Sequence, residues 1–312
     1  MKNLPKNSTT DRIELLTPAQ RRWVALSARV FPGWTARRAE ALLLRPPRKR
    51  GRAAEVLNAW GQPERIVVDG HRMALWHFGE QGRPRVVLVH GWGGYGGQLA
   101  GWIAPLLGAG FAVTLFDQLG HGDSEGQAGA LPDFIAGLRT VAAAVPNVVA
   151  VVAHSMGAAG ALHAVREGLA VDALVLIGSP GNFDLHLKTL SRRVGLGLRA
   201  HHSLRGRLER RYRPIAEIDA LQGLPVGRTR AMFVHDLDDL EVDFSHLATL
   251  HAAWPGSEAM ATRGYGHHRV LRAPEVIARS VAFLASASER VNKSTARADC
   301  CVAHSLTPRL SI

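Results

Sequence analysis

Short apolar runs alternate with helical patterns along most of the chain. The runs predict strands at 86–89, 112–116, 148–153, 173–177, 231–234 and 258–262, and the 3.6-residue period between them predicts helices at 97–108, 132–145, 155–168, 244–253 and 274–286. Before these, the segments 66–68 and 73–76 flank Asp69-Gly70, which predicts an antiparallel pair. Alternating strands and helices require right-handed crossovers, so the predicted fold is α/β, with a mostly parallel sheet and helices on both faces.

One interval departs from this alternation. About fifty residues separate the strand ending at Ile177 from the next one, whereas such connections usually have about 2–6. Leucines spaced along this interval form one stripe of an amphipathic helix, so we expect a small helical cap insertion at about 180–226. The same spacing places Arg192, Arg193 and Arg199 on the other stripe, predicted to face solvent.

The first 62 residues differ from the α/β region in charge and pattern. Pro18 after Thr17 predicts a helix start, Trp23, Leu26 and Val30 recur at helical spacing, and a second helix is expected at 35–44. The first 60 residues contain 13 basic and 4 acidic side chains, including the RKRGR segment at 48–52, interpreted as a solvated linker. We therefore expect a basic helical extension at 1–62, an α/β domain at 63–287 that contains the cap insertion, and a disordered polar tail at 288–312.

Composition excludes several classes of protein. The chain is 46% hydrophobic and 21% charged, which is typical of globular proteins and excludes fibrous and low-complexity proteins. Its net charge of +12 does not identify a partner, and no nucleic-acid-binding module is recognisable. The most apolar region, 141–165, is interrupted by polar residues and glycine, so no membrane span is expected. Adjacent Cys300 and Cys301, with no apolar leader, favour a cytoplasmic location.

A candidate nucleophile follows the strand at 148–153. Ser155 lies in the segment AHSMG at 153–157, between that strand and a helix rich in small residues. A tight strand-to-helix turn requires small residues two positions before and after its apex, as Ala153 and Gly157 are. The apex hydroxyl would project from the sheet beside the helix amides. An ordinary serine in a βα turn is the alternative interpretation.

Two further motifs precede Ser155. The glycine-rich segment HGWGG at 90–94 follows one strand directly, and DQLGHGDS at 117–124 follows the next. Together with AHSMG, and in this order, these motifs resemble those of the α/β-hydrolase superfamily over about residues 64–287. The resemblance implies a catalytic triad in the order serine, acid, histidine.

The resemblance selects candidates for the acid and the histidine. In the family pattern H-G-x-x-D-x-x-V the acid follows the histidine by four, which points to Asp239, four residues after His235. Asp238 stays an alternative because Asp236 stands where the family has glycine, and the acidic segment could also be only a solvated loop. The family pattern G-x-G-H after the last strand points to His267.

These residues imply a serine hydrolase that needs no metal or organic cofactor. Ser155 would attack an acyl carbonyl, His267 would accept its proton, Asp239 would orient the imidazole, and the amides of Trp92 and Met156 would form the oxyanion hole. The expected reaction is hydrolysis of a small-molecule carboxylic ester. A thioesterase, a C–C bond hydrolase and a non-catalytic ligand-binding member of the fold stay open, as do the physiological substrate and the oligomeric state.

Overall fold

The computed structural model describes residues 16–48, 57, 61–127, 129–219 and 221–288. Its strands are β1 (Glu64–Val68), β2 (His71–Phe78), β3 (Arg85–Val89), β4 (Ala112–Phe116), β5 (Val148–His154), β6 (Ala173–Ile177), β7 (Arg230–Asp236) and β8 (Glu258–Thr262). Its helices are α1 (Pro18–Val30), α2 (Pro32–Leu43), α3 (Ile103–Gly108), α4 (Leu131–Ala144), α5 (Met156–Arg166), α6 (Phe183–Arg193), α7 (Leu198–Arg211), α8 (Ile215–Asp219), α9 (Ser245–Ala253), α10 (Gly266–Arg269) and α11 (274–288). The 3₁₀ segments Gly96–Trp102 and Val270–Arg272 complete the regular structure.

The strands form one sheet in the order β1-β2-β4-β3-β5-β6-β7-β8. β1 pairs with β2 and β2 with β4 in antiparallel fashion, and the pairs from β4 through β3 to β8 are parallel. The turn between β1 and β2 uses the left-handed region at Asp69 (φ 49°) and Gly70 (φ 75°). The predicted α/β fold with a mostly parallel sheet is therefore confirmed.

Both faces of the sheet are covered, which explains why its central strands are apolar throughout. In β3, Val87 and Val89 pack toward α4 and α5, whereas Val86 and Leu88 pack toward α3 and α11. Every residue of β3, β4 and β6 is buried. Because β3, β5, β6 and β7 pair in parallel, their carboxyl ends lie at one edge of the sheet, where ligands of open α/β sheets bind.

A separate apolar cluster joins the amino-terminal helices to the residues between β6 and β7. α2 packs on α7, and the cluster buries Ala36 of α2, Ala200 and Leu204 of α7, and Leu187 of α6. We call α1 and α2 the amino-terminal hairpin and α6–α8 the cap helices. The RKRGR segment apart from Arg48, the residues 289–312 and the cysteine pair lie outside the described residues. No helix among the described ranges is both long and apolar enough to cross a bilayer.

Candidate active site

Ser155 lies at the turn between β5 and α5, at the carboxyl edge of the sheet. Its backbone is in a strained region, with φ 54° and ψ −122°, and its amide donates to the carbonyl of Ile177 at 2.9 Å. Gly157 packs so closely on the preceding loop that an added Cβ would lie 2.2 Å from the carbonyl oxygen of His90. The small residue two positions after Ser155 is therefore a steric requirement of this turn.

The structure brings Ser155, His267 and Asp239 into one hydrogen-bonded chain. The Nε2 atom of His267 lies 2.9 Å from Ser155 Oγ, and its Nδ1 atom lies 2.6 Å from Asp239 Oδ2. The three side chains come from turns after β5, β7 and β8, so the parallel sheet places them side by side. With Nδ1–H donating to Asp239, the lone pair of Nε2 can accept the serine proton.

The structure separates the two candidate acids. Asp239 is buried, and its Oδ1 accepts hydrogen bonds from the amides of Glu241 at 2.7 Å and Val242 at 2.9 Å. Asp238 is exposed, and its carboxylate accepts from the amide of Gly264 at 2.9 Å. Asp239 therefore contacts the imidazole, whereas Asp238 ties the loop after β7 to the loop after β8.

Within the hydrogen-bonded chain of three side chains, Asp239 and His267 stabilise each other's charged forms. Burial alone would raise the pKa of Asp239, but the charge of His267 and hydrogen bonds from His235, His267 and Val242 lower that pKa far below its ordinary value. For His267, burial opposes the charged form, yet the carboxylate of Asp239 outweighs burial and raises the pKa of the imidazole. The site thus holds a carboxylate beside a histidine that can carry a proton.

Sequence reasoning did not identify the residue that positions the histidine loop. The buried carboxylate of Asp236 accepts from the Thr262 hydroxyl at 2.7 Å and from the amides of Tyr265 at 3.2 Å and Gly266 at 2.9 Å. His154 supports the same loop through a 2.8 Å contact between its Nε2 and the carbonyl of His267. An acid at the last position of a buried strand was the available signal.

Two histidines hold the loop that begins at residue 90. His90 Nδ1 lies 2.8 Å from the carbonyl of Gly91 and its Nε2 accepts from the amide of Gln118 at 3.0 Å, while His121 Nε2 accepts from the amide of Gly93 at 3.1 Å. Burial lowers the pKa of His90 to about 3 and that of His121 to about 4, so both rings are neutral near pH 7. Neutral rings with one donor and one acceptor suit these structural bonds.

A cavity of about 310 Å³ opens over Ser155 and is walled by parts distant in sequence. Trp92 and Met156 line it beside the serine, and the cap helices contribute Phe183 and Leu187. The amino-terminal hairpin also reaches the cavity: Leu43 lines it, and the carbonyl of Leu43 accepts from Trp92 Nε1 at 2.9 Å.

The predicted outward orientation of the cap arginines holds for only two of them. Arg192 and Arg199 are exposed, whereas Arg193 lines the cavity, because it follows His186 and Leu190 at helical spacing on the face of α6 that borders the cavity. Arginines at the cavity wall outnumber acids: among the described lining residues, Glu241 is accompanied by Arg193, Arg213, Arg269 and Arg272. Across the described ranges no group of three or more His, Cys, Asp or Glu side chains is arranged to hold a metal ion.

Residues 80–240 match the family model described as serine aminopeptidase, S33. The chain belongs to this family of α/β hydrolases. The match covers β3 to β7 with the loops that carry Ser155 and Asp239, and it confirms the predicted membership of the α/β-hydrolase superfamily.

Known proteins similar to this family member include enzymes named for ester and thioester chemistry. The chain is 42% identical over 103 residues to a pimeloyl-[acyl-carrier protein] methyl ester esterase of Methylococcus capsulatus; the alignment covers 31% of this chain and 38% of that enzyme. An esterase of Pyrococcus furiosus has a similar structure (TM-score 0.57, 18% identity, 77% of this chain and 96% of the other). So does a thioesterase domain from the curacin biosynthetic pathway (TM-score 0.53, 16% identity, 71% and 99%). At these identities the two structures establish the shared fold.

Proposed function

We propose that this protein hydrolyses a carboxylic ester, with Ser155 as nucleophile, His267 as general base and Asp239 as the acid of the triad. The observation that carries the proposal is the chain of hydrogen bonds from Ser155 Oγ through both ring nitrogens of His267 to Asp239, with distances of 2.9 and 2.6 Å. Nucleophile, base and orienting group within hydrogen-bond reach are the geometric requirement for acyl transfer on serine.

In the proposed reaction, Ser155 Oγ attacks the ester carbonyl while its proton moves to His267 Nε2. The alcohol leaves with that proton, and water, deprotonated by the same imidazole, then releases the acid from the acyl-enzyme. The amides of Trp92 and Met156 would receive the developing oxyanion, an interaction typically worth about 3–4 kcal/mol per donor. Because His267 must be unprotonated to accept the serine proton and the carboxylate of Asp239 raises its pKa, activity should decline toward acid pH with a midpoint above the ordinary pKa of a histidine.

The charge of the cavity wall and the similarity to known enzymes favour an ester as the bond that is hydrolysed. The partial similarity to an enzyme named as a methyl ester esterase supports an ester, and the resemblance to a thioesterase domain keeps thioesters as the second candidate. An aminopeptidase must bind a substrate ammonium group, which carboxylates recognise. The described cavity wall offers Glu241 against several arginines, so the peptide chemistry in the family's name fits this cavity less well.

Hydrolysis of a short p-nitrophenyl ester tests this proposal directly. We expect Ser155→Ala to lower kcat by about 10⁵-fold or more while leaving the fold intact, because the serine hydroxyl is the only group removed. Ser245→Ala, at an exposed serine where α9 begins, is the matched control and should keep full activity. Wild-type inactivity toward esters and thioesters, with a ligand still bound in the cavity, would instead identify a non-catalytic member.

The cytoplasmic location stays a prediction.

A further inference from the structure

The amino-terminal hairpin exposes a continuous set of large apolar side chains. On α1, Leu26 is 63% exposed and Val30 61%, and Phe31 at the bend is 63% exposed. Trp23 and Trp34 contact each other edge to face, with ring centroids 5.7 Å apart, and both are exposed. We call these five residues the outer stripe. Monomeric proteins rarely leave so many large apolar side chains together in water without a partner.

The hairpin packs on the cap with its smaller side chains. Its buried positions are Ala28, Thr35, Ala36 and Glu40, and Glu40 is paired with Arg207 of α7 at 2.5 Å. Burying the tryptophans and Phe31 instead would remove far more apolar area from water. The orientation is therefore the reverse of what folding alone favours, and it indicates that the outer stripe is reserved for contact with another surface.

Arginines are interleaved with the outer stripe. Arg22 precedes Trp23, Arg29 precedes Val30, and the guanidinium of Arg38 lies 5.2 Å from the ring centre of Trp34. Helices α1 and α2 together contain five arginines and one acidic residue, Glu40, which is already paired. The surface presented by the hairpin is thus apolar, aromatic and strongly cationic at the same time.

A shallow depression continues this basic surface toward the active site. It measures about 290 Å³, and its lining includes Leu44, which also lines the active-site cavity. Its lining includes Arg37, Arg45 and Arg211, together with the ion pair of Arg207 and Glu40, so the depression carries a net positive charge. Such a cluster suits the phosphate of a lipid headgroup.

We propose that the amino-terminal hairpin binds the surface of an anionic phospholipid bilayer, with the outer stripe inserted among the headgroups and acyl-chain ends. Aromatic and aliphatic side chains on a helix flanked by arginines are the composition of helices that lie in a bilayer interface. The inference does not depend on the ester chemistry proposed above. It places the active-site cavity beside the membrane surface, since α2 runs from the stripe to the cavity wall.

The distribution of charge favours a bilayer over a protein partner. Protein interfaces concentrate charged residues at the rim and deplete them at the centre. Here Arg22, Arg29 and Arg38 adjoin the apolar residues themselves, so docking on a protein would bury their guanidinium groups. At a bilayer the arginine stems can extend beside the inserted rings and keep their charges among the phosphates.

Vesicle sedimentation with the full-length chain tests the proposal. We expect the protein to pellet with vesicles of phosphatidylcholine and phosphatidylglycerol but not with phosphatidylcholine alone, and binding to fall as added salt shortens the Debye length from about 10 Å at 0.1 M to about 3 Å at 1 M. The double variant Trp23→Gln/Phe31→Gln should bind at least about tenfold more weakly. Arg29→Gln/Arg38→Gln should lose about fivefold for each arginine removed.

Val67→Gln is the matched control, because Val67 is an equally exposed apolar residue, 68% exposed, on the edge strand β1. It should bind anionic vesicles as the wild type does. Absence of wild-type binding at low salt, or unchanged binding by Trp23→Gln/Phe31→Gln, would overturn the proposal. A third outcome would also overturn it: neither protein binds vesicles, and sedimentation equilibrium shows a dimeric wild type and a monomeric double variant. The outer stripe would then join two copies of this chain.

Discussion

In the loops around Ser155, polar side chains are buried and hydrogen-bonded, whereas in the amino-terminal hairpin large apolar side chains lie in solvent. His90, His121 and Asp239 each bind backbone atoms of the catalytic loops in a region where Gly157 leaves no room for a methyl group. The hairpin meets the cap through Ala28 and Ala36, through the partly buried Val24 and Leu43, and through the ion pair of Glu40 with Arg207. Rigidity at the carboxyl edge of the sheet suits chemistry at fixed distances, and an apolar outer surface suits binding.

The largest expected difference is in kcat, between variants of two neighbouring carboxylates in the catalytic loops. Asp239→Asn should lower kcat by about 10⁴-fold, because an amide in place of Oδ2 no longer fixes the imidazole tautomer. Asp238→Asn should change kcat by less than about tenfold, because its carboxylate is exposed and accepts from the amide of Gly264, and an asparagine oxygen can accept the same bond. Steady-state kinetics on both variants decide this; comparable losses would mean that the loop after β7 differs in solution.

Lowering the pH should reduce the free energy of unfolding through histidines that are buried and neutral in the α/β domain. The hairpin contains no histidine from residue 16 to 48, so it makes no such contribution. Burial lowers the pKa of His90 and His163 to about 3 and of His121 to about 4, so below pH 6.5 the unfolded chain binds protons that the folded chain does not. Stability is therefore lost as the pH falls. Asp117 opposes part of this loss, because burial raises its pKa to about 6 and the folded state takes up that proton.

Urea unfolding at several pH values measures this effect. We expect the free energy of unfolding to fall by at least about 3 kcal/mol between pH 6 and pH 5, from about 1.4 kcal/mol per pH unit for each of the three histidines kept neutral, less about the same amount for Asp117. His163→Leu should make the dependence shallower by about one proton, because the ring of His163 is buried in α5. An unchanged slope in this variant would show that His163 is protonated in the fold.

Two glycine substitutions compare the close packing of the catalytic loops with the open surface of the hairpin. Gly157→Ala should reduce the free energy of unfolding by about 2–3 kcal/mol, because its Cβ would meet the backbone oxygen of His90 at 2.2 Å. Gly33→Ala in α2 should be neutral or stabilise by up to about 1 kcal/mol, because nothing lies within 4 Å of the added carbon. Denaturant midpoints of the two variants provide the measurement; equal losses would contradict the described packing.

The smallest expected effect tests the exposure of the outer stripe. Leu26→Gln should change the free energy of unfolding by no more than about 0.5 kcal/mol, because the side chain already lies in solvent. Ala36→Leu, on the buried face of α2, should cost about 1–3 kcal/mol through overpacking. Thermal unfolding of both variants compares the two faces. A loss above 2 kcal/mol from Leu26→Gln would show that the stripe is covered in the isolated protein.

Much of the fold was predictable because its signals are local. Strand β4 (Ala112–Phe116) and strand β6 (Ala173–Ile177) have the predicted bounds, since burial on both faces of a sheet requires the apolar runs that mark them. The turn at Ser155 is likewise specified by the small residues around it. The residues that mark these features lie within a few positions of one another, so the sequence displays them even though the steric reason for Gly157 is its contact with the distant carbonyl of His90.

What the sequence left open depended on contacts between distant segments. Asp238 and Asp239 are adjacent and chemically identical, and it is the approach of His267 from the loop after β8 that brings the imidazole to Asp239. The inward position of Arg193 and the contact of Leu43 with Trp92 likewise follow from how the cap and the hairpin sit over the sheet. Helical periodicity determines which residues share a face, but the direction in which that face points is decided by tertiary packing.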